Sequence, residues 1–448
     1  MTWVVLWTDA LLLVLAAAIA ALIVYARRQE HLRRPWRKIV RNRTGMAALA
    51  VLLAFTAIGL LDSLHFRNAD NGQMLSLFDR WVEPLRVRTE KTYSAPFATH
   101  LYSREFQIGP DGRQIWTYPP LKHGGAHLAN PEDKWADIAG TALLGTVKGS
   151  GIWLLGCLAV MFLRRRTGSP SDTARNGLPW VTLGVTTAVI LIAGFTVAEL
   201  SLKYHVLGTD KVGEDVLYQS LKSIRTGLII GTLTTLVMLP FALSLGVLAG
   251  YFRGWVDDII QYLYTTLNSI PSVLLIAAAI LMLQVYIAAH PEQFDNLAVR
   301  ADMRLFFLCL ILGITNWTGL CRLLRAETLK LREMDYVQAA QALGVSHPRT
   351  LIRHILPNVF HIVLISVVLD FSGLVLAEAV LAYVNIGVDP TTQSWGNMIN
   401  SARLELARDP IVWWTLTAAF IFMFSFVLAA NLFADTVRDA FDPRRAEE

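Results

Sequence analysis

The stretch Asp335–Asn358 reads DYVQAAQALGVSHPRTLIRHILPN. It is polar and punctuated by Gly344, Pro348 and Pro357, yet long apolar runs stand on both sides of it. Ala339, Ala340 and Ala342 favour a helix from Asp335 to Leu343. Gly344 stands where a helix C-cap glycine belongs. Ser346 can cap a second helix, and Pro348 suits its first turn. Leu351, Ile352 and Ile355 give that helix an apolar face, and Pro357 ends it as the next apolar run starts. The spacing therefore predicts helix, sharp turn, helix. Small alanines let another surface approach closely, and a knuckle joined to two spans can transmit a push.

The rest of the chain says what those spans are. Its 448 residues are 54% hydrophobic and 17% charged, with a positive mean hydropathy. A transmembrane helix needs roughly 20 mostly apolar residues. Such runs fall at about 3–25, 45–62, 140–163, 179–199, 227–251, 259–288, 304–320, 358–384 and 411–433. Lipid offers no partner to backbone groups, and these runs lack barrel-like alternation, so they read as helices. The expected fold is all-α and polytopic, with nine transmembrane helices.

The net charge is +5, and its placement is more informative than its size. Lys and Arg crowd Arg27–Arg43 (RRQEHLRRPWRKIVRNR), Arg164–Arg166 and the C-terminal RDAFDPRR. The knuckle and the residues before it carry Arg322, Arg325, Lys330, Arg332, Arg349 and Arg353. Basic residues near helix ends stay in the cytoplasm. Placing all of these inside gives one topology: N-terminus out, nine spans, C-terminus in. Because each cluster flanks a span, the charges indicate a lipid boundary and no nucleic-acid partner. The first run lacks a basic n-region and a clear small-residue cleavage site, so it reads as a retained helix. Cys157, Cys309 and Cys321 fall in or beside apolar runs, implying neither disulfide nor metal site.

Ser63–Ile138 is the longest polar stretch and falls outside in this topology. Its Trp, Tyr and Pro content (IWTYPPLKHGG) predicts a folded insertion. His100, His123 and His127 within it read as packed or solvated histidines, or as a weakly supported metal site. In KYHVLGTDKVGEDVLYQSLKSIRTG (203–227), Gly208 and Gly213 predict tight turns. Val216, Leu217, Leu221 and Ile224 then recur at helical spacing, predicting an amphipathic helix at the outer interface. Pro240 should kink the following span and Pro271 should bend the next. Lys148, Asp370 and Glu378 are ionisable at or near membrane depth, where each costs roughly 2.5–3.5 kcal/mol and must face protein or water. They serve either interhelical hydrogen bonding or a translocation path. The piece LAYVNIGVDPTTQSWGNMINSARLELARDP reads as a cap over a pore mouth or a surface loop.

QAAQALG followed by HILPN resembles the EAA loop of ABC-importer permeases, with Ala339, Ala340, Gly344 and Pro357 in matching register. The upstream WTGLCRLLRAETLKLREMDY fits the same pattern, and RKIVRNRTG resembles the lead into the family's first helix. HVLGTDKVGEDVL, IGVDPTTQSWGNMI and DTVRDAFDPR resemble three further ordered motifs of the dipeptide/oligopeptide/nickel subgroup, second permease type. Together they cover roughly Lys203–Arg444. Gln338 stands where the family has Glu, Glu214 stands where it has Arg, and the first helix and Ser63–Glu199 exceed its six-helix plan. The resemblance implies a MetI-like core and an inner-membrane, non-enzymatic transport subunit without cofactor. It implies a second related permease, two ABC ATPase subunits and an external substrate-binding protein as partners. Tyr336, Gln338, Ala339, Ala340, Gly344 and Pro357 would then be the ATPase-docking residues. The chain has no G-x-x-x-x-G-K-[ST] loop with which to bind ATP itself.

The expected organisation is two N-terminal helices with a basic loop (1–62), the outside insertion (63–138) and an added helix pair (139–200). The permease core (201–435) and a short cytoplasmic tail (436–448) follow. The resemblance suggests peptides as cargo, with nickel or another small solute as the alternative. A different class, an ion-coupled secondary transporter, is suggested only by Lys148, Asp370 and Glu378.

Overall fold

The computed structural model of the protein describes residues 2–28, 30–67, 72–108, 114–128, 130–167, 177–294 and 296–441. Helices dominate, and seven of them are long and apolar enough to cross a membrane among the described residues. They match seven of the nine expected runs. The run at 3–25 falls on α1 (Trp7–Arg28), of which Trp7–Ala21 forms a shorter apolar helix among the described residues. The run at 304–320 lies inside a helix treated below. Among the described residues, length and composition therefore give seven spans, and the count of nine is not reached. The end of the DTVRDAFDPR motif, from residue 442, lies outside the described residues, as do the side chains of Arg27, Arg28 and Arg164–Arg166.

The chain divides into two units that interleave in sequence. One comprises Met1–Val4, Trp36–Thr226 and Gln393–Ala429; the other comprises Val5–Pro35, Gly227–Thr392 and Ala430–Glu448. The expected basic loop before α3 (Arg43–Asp62) contains a helix, α2 (Glu30–Arg41).

In the first unit, β1 (Thr2–Val4), β2 (His65–Arg67) and β3 (Met74–Ser76) form a three-stranded antiparallel sheet. Two short helices, α4 (Leu77–Trp81) and α5 (Glu83–Val87), follow. A hairpin of β4 (Glu105–Ile108) and β5 (Gln114–Thr117) completes the insertion. The predicted insertion is thus folded but not purely helical. Its Phe78 and Leu85 are buried in one cluster with Leu200, Val206, Leu217 and Tyr218. The added helices α6 (Lys134–Thr167) and α7 (Trp180–Ser201) pack along their lengths. Glycine permits that approach: a Cβ on Gly145 would lie 2.6 Å from the Thr196 Cα, and one on Gly149 would lie 2.8 Å from the Ile192 Cα. The unit also holds α15 (Trp395–Glu405), whose Trp395 indole donates to the Ser220 carbonyl at 3.1 Å.

The next helix, α8 (Val216–Phe252), runs unbroken for 37 residues. The amphipathic segment expected at 216–224 is therefore its first turns, not a separate interfacial helix. Val216, Leu217 and Ile224 are buried by their own chain, because a tertiary partner covers the apolar face that the periodicity assigned to lipid.

In the second unit, α9 (Gly254–Ser269) and α10 (Ser272–Ala289) replace the single bent helix expected at 259–288. Ile270 is extended and Pro271 is the N-cap just before α10, so the proline breaks the helix: the residue before a proline is disfavoured in helical conformation. Next comes α11 (Leu297–Arg332), 36 residues long. Gly246 and Gly250 seat α8 directly on α11, where added Cβ atoms would meet Cys321, Leu324, Arg325 and Thr328 within 3 Å. The Thr8 amide and hydroxyl both donate to the Asp302 carboxylate, joining α1 to α11. A helix α14 (Leu356–Tyr383) follows the knuckle, and α16 (Trp414–Phe441) closes the described chain. Met238, Trp317, Leu320, Leu324, Ile355 and Val359 lie in this unit's core.

Candidate functional site

The knuckle is built from two short helices, α12 (Asp335–Ala342) and α13 (His347–Thr350). Gly344 has φ +78°, the left-handed conformation that the sequence required of it. The Val345 amide donates to the Ala340 carbonyl, and the Gly344 amide donates to the Gln341 carbonyl, both at 3.0 Å. This pair of bonds is a Schellman ending, which satisfies carbonyls that the helix end would leave unpaired. A Cβ at Gly344 would meet nothing within 4 Å, so only the backbone conformation demands glycine there.

Two local expectations need correction. Ser346 is extended at the start of α13 but makes no side-chain cap bond. Pro357 does not end the second helix. Leu351–Ile355 form a π turn, and His347–Tyr383 continue as one 37-residue helix. Proline lacks an N–H and its ring crowds the carbonyl four residues back; a local π turn absorbs both problems without a break. The knuckle's second half is therefore the end of a membrane span itself, with no joint between them.

The docking residues named from the resemblance divide into two faces. Ala340 is only 8% exposed and, with Val337, lies on the inner face against its own chain. Tyr336, Gln338, Ala339, Gly344 and Pro357 are exposed. Beside them stands Leu343, 84% exposed, which sequence reasoning passed over because it read as one more helix residue. The Gln338 amide donates to the Glu333 carbonyl at 3.3 Å, a contact that needs no charge. The Tyr336 hydroxyl accepts from the Asn358 side chain at 3.2 Å.

Polar bonds tie the knuckle to two helix ends. The Tyr251 hydroxyl lies 2.8 Å from Nδ1 of His347 and accepts from the Gln341 amide at 3.2 Å. Arg332 donates to the Tyr251 carbonyl at 2.8 Å. Arg253 pairs with Glu333 at 2.6 Å, and Arg325 grips Asp257 with two bonds of 2.6 and 2.7 Å. Only a tyrosine at the end of a long apolar helix, followed by Phe-Arg-Gly, signalled this hub in the sequence.

The membrane-depth ionisable residues do not form one group. Lys148, on α6, pairs with Glu199 on α7 at 2.7 Å, within the first unit. Asp370 and Glu378 lie on α14 in the second unit, Asp370 half-buried and Glu378 buried.

In the first unit, two charge clusters join the insertion to the loop and helix that follow α7. His205 Nδ1 lies 2.7 Å from Asp215, and Nε2 lies 3.3 Å from Glu90. The Glu90 carboxylate also accepts the amides of Lys122, His123 and Gly124. Although burial opposes charge on His205, the two carboxylates outweigh it and raise its pKa to about 9. Burial likewise acts against Glu90, but His205 and the three amides lower its pKa to about 2. In the other cluster, Lys222 sits 2.5 Å from Asp79 and 3.6 Å from Asp62. The Tyr218 hydroxyl and the Ser76 hydroxyl donate to Asp79 and Asp62 respectively. Gly208 and Gly213 take positive φ, as their motif predicted, and a Cβ on Gly213 would strike the Glu90 carbonyl. Glu214, in the place of the family's Arg, accepts from the Gln219 and Gln393 amides. Of the three insertion histidines, His127 pairs with Asp137 at 2.8 Å, and no metal-holding group occurs among the described residues.

The family model for the binding-protein-dependent transport system inner membrane component matches residues 242–447. The chain is 31% identical over 239 residues to the oligopeptide transport system permease protein OppC of Mycobacterium bovis, covering 53% of this chain and 76% of that protein. It is 30% identical over 251 residues to the dipeptide transport system permease protein DppC of Lactococcus lactis, covering 54% of this chain and 65% of the relative. The glutathione transport system permease protein GsiD of Pectobacterium atrosepticum is 30% identical over 242 residues, 54% of this chain and 73% of its own. With the EAA-like knuckle on the end of a membrane span, these matches make this multi-pass membrane protein a member of the binding-protein-dependent transport system inner membrane component family.

Proposed function

We propose that this chain is the membrane-spanning permease of an ATP-binding-cassette importer for di- or oligopeptides, seated in the inner membrane. It forms one half of a translocation path with a second, related permease. Two separate ATPase subunits hydrolyse ATP, and an external binding protein delivers the cargo. The observation that carries this reading is the knuckle: an exposed helix–turn–helix whose second helix is continuous with a span. Movement of the exposed edge at Ala339, Leu343 and Gly344 by a closing ATPase pair would be passed directly into that span, which is what alternating access requires. The relatives named for dipeptide and oligopeptide transport support peptides as cargo.

The topology is part of the proposal. Residues 2–4 pair with the first strand of the insertion, which supports placing the N-terminus and the insertion on one side of the membrane. The basic knuckle then faces the cytoplasm. The insertion belongs to the outer surface, near where a binding protein docks.

Purification from native membranes tests the central claim. A permease brings ATPase subunits with it, and its peptide uptake is blocked by vanadate. Uptake that follows an ion gradient and ignores vanadate would overturn the reading.

A further inference from the structure

The knuckle presents a surface, but a surface transmits force only if its two short helices keep their relative angle. The Schellman turn at Gly344 sets the chain direction. It does not lock the helices, because the turn is a single left-handed residue exposed on the outside. Two polar links span the turn among the described residues: the exposed Tyr336–Asn358 bond at 3.2 Å, farther along the second helix, and, nearest the turn and buried, the Tyr251 hydroxyl. The Gln341 amide, on α12, donates to the Tyr251 oxygen, and that hydroxyl in turn reaches Nδ1 of His347, on α13. Tyr251 is itself 3% exposed and sits in the second unit's core at the end of α8. Its carbonyl accepts from Arg332 at the end of α11. Phe252 and Tyr251 both place ring edges against His347, at 5.6 Å between centroids.

We propose that Tyr251 is the positioning residue of the coupling segment: through its hydroxyl it holds α12 and α13 at a fixed angle on the ends of α8 and α11, so that motion of the docking surface becomes motion of spans. The Tyr251 hydroxyl can accept from Gln341 and still share a hydrogen bond with His347, so a single group touches both short helices. The ring and the hydroxyl have separable jobs. The ring fills the core and packs on His347; the hydroxyl fixes the angle across the turn.

This inference rests on the ATPase-docking reading, and the experiment separates the two. Tyr251→Phe keeps the ring and removes the hydroxyl. The complex is purified with its ATPase subunits and reconstituted in vesicles. Thermal stability, ATPase pull-down, ATP hydrolysis and uptake of a labelled peptide are then measured side by side. The expected result is a stable, membrane-inserted complex in which peptide transported per ATP hydrolysed falls about tenfold. Gln341→Leu, which removes only one of the two bonds, should fall part of the way. Gly344→Asp, on the docking surface, should instead lose ATPase subunits in the pull-down. If Gly344→Asp loses them while Tyr251→Phe transports with unchanged coupling, the role of Tyr251 is refuted and the docking reading stands. If Gly344→Asp also transports normally, the docking reading itself has failed. A Tyr251→Phe complex that loses stability and hydrolysis together with uptake, at unchanged coupling, shows a packing role only and likewise overturns the proposal.

Discussion

Replacing His205 with Gln should loosen the insertion where it meets the loop before α8. His205 is 3% exposed and lies between Glu90 and Asp215. Its pKa rises from 6.5 to about 9, and at about 1.4 kcal/mol per pH unit this corresponds to roughly 3 kcal/mol of favourable interaction for the charged ring. The folded pKa is above the unfolded one, so this contribution is complete below pH 6.5 and fades as pH rises through about 9. At pH 7 it still supplies about 2.5 kcal/mol. Glu90 has the opposite sign: lowered from 4.5 to about 2, it contributes above pH 4.5 and fades as pH falls. The two displacements describe one interaction and are not added. Both are complete between pH 4.5 and 6.5.

The local reporter is the set of amides from Lys122, His123 and Gly124, which donate to the Glu90 carboxylate. Their hydrogen exchange depends on opening of this clasp. In the purified complex at pH 7, His205→Gln should speed exchange in the peptide around 122–124 by roughly 70-fold, the equivalent of about 2.5 kcal/mol. The β4–β5 hairpin, with no bond to the clasp among the described residues, serves as the internal control. In the unaltered protein the same peptide should gain protection between pH 9 and pH 7, after correction for the chemical exchange rate. Identical exchange in the variant and the parent at pH 7 would refute the reasoning. It would mean that the buried imidazolium contributes nothing to holding the insertion.

The remaining predictions concern topology, the knuckle and the second charge cluster. A reporter fused at the N-terminus should be active only outside the cytoplasm, and one at the C-terminus only inside; the reverse pattern ends the proposed topology. Ala340→Asp should fail because a carboxylate is forced into the inner face of α12, so loss of ATPase association should come with lower thermal stability. Leu343→Ala, on the 84% exposed side chain, should change stability by less than about 0.5 kcal/mol yet weaken ATPase pull-down; an unchanged pull-down would remove Leu343 from the docking surface. Gln338→Ala should do far less harm to uptake than Gly344→Asp, since its amide meets only a backbone carbonyl. Lys222→Met should destabilise by roughly 3–5 kcal/mol, because the buried Asp62 and Asp79 lose the cation that pairs with them; a melting profile equal to the parent's would show that the carboxylates find another partner.

The sequence by itself determined the class of this protein. Apolar runs of about 20 residues can do little but span lipid as helices, and composition reports them directly. It also determined Gly344, Gly208 and Gly213, because a positive φ restricts residue choice at the position itself. The EAA-like register of Ala339 to Pro357 was legible for a similar reason: a short local motif carries its own geometry. Where helices end was harder to read. Pro357 and Pro271 look alike in sequence, yet the first is absorbed by a π turn and the second breaks its helix, and only the packing around each decides. Which face of α12 turns inward was equally hidden, since alanines on either side carry no polarity signal; the contacts of the folded chain put Ala340 inside and left Ala339 out. The clusters at Tyr251, His205 and Lys222 were decided by tertiary structure alone. Asp215 and Tyr218 are near in sequence, but the partners that complete each cluster, Gln341 and His347, Glu90, and Asp79, lie about ninety to more than a hundred residues away along the chain. An ion or hydrogen-bonding group in a sequence does not name its partner, and desolvation makes the partner necessary only after the fold has buried both.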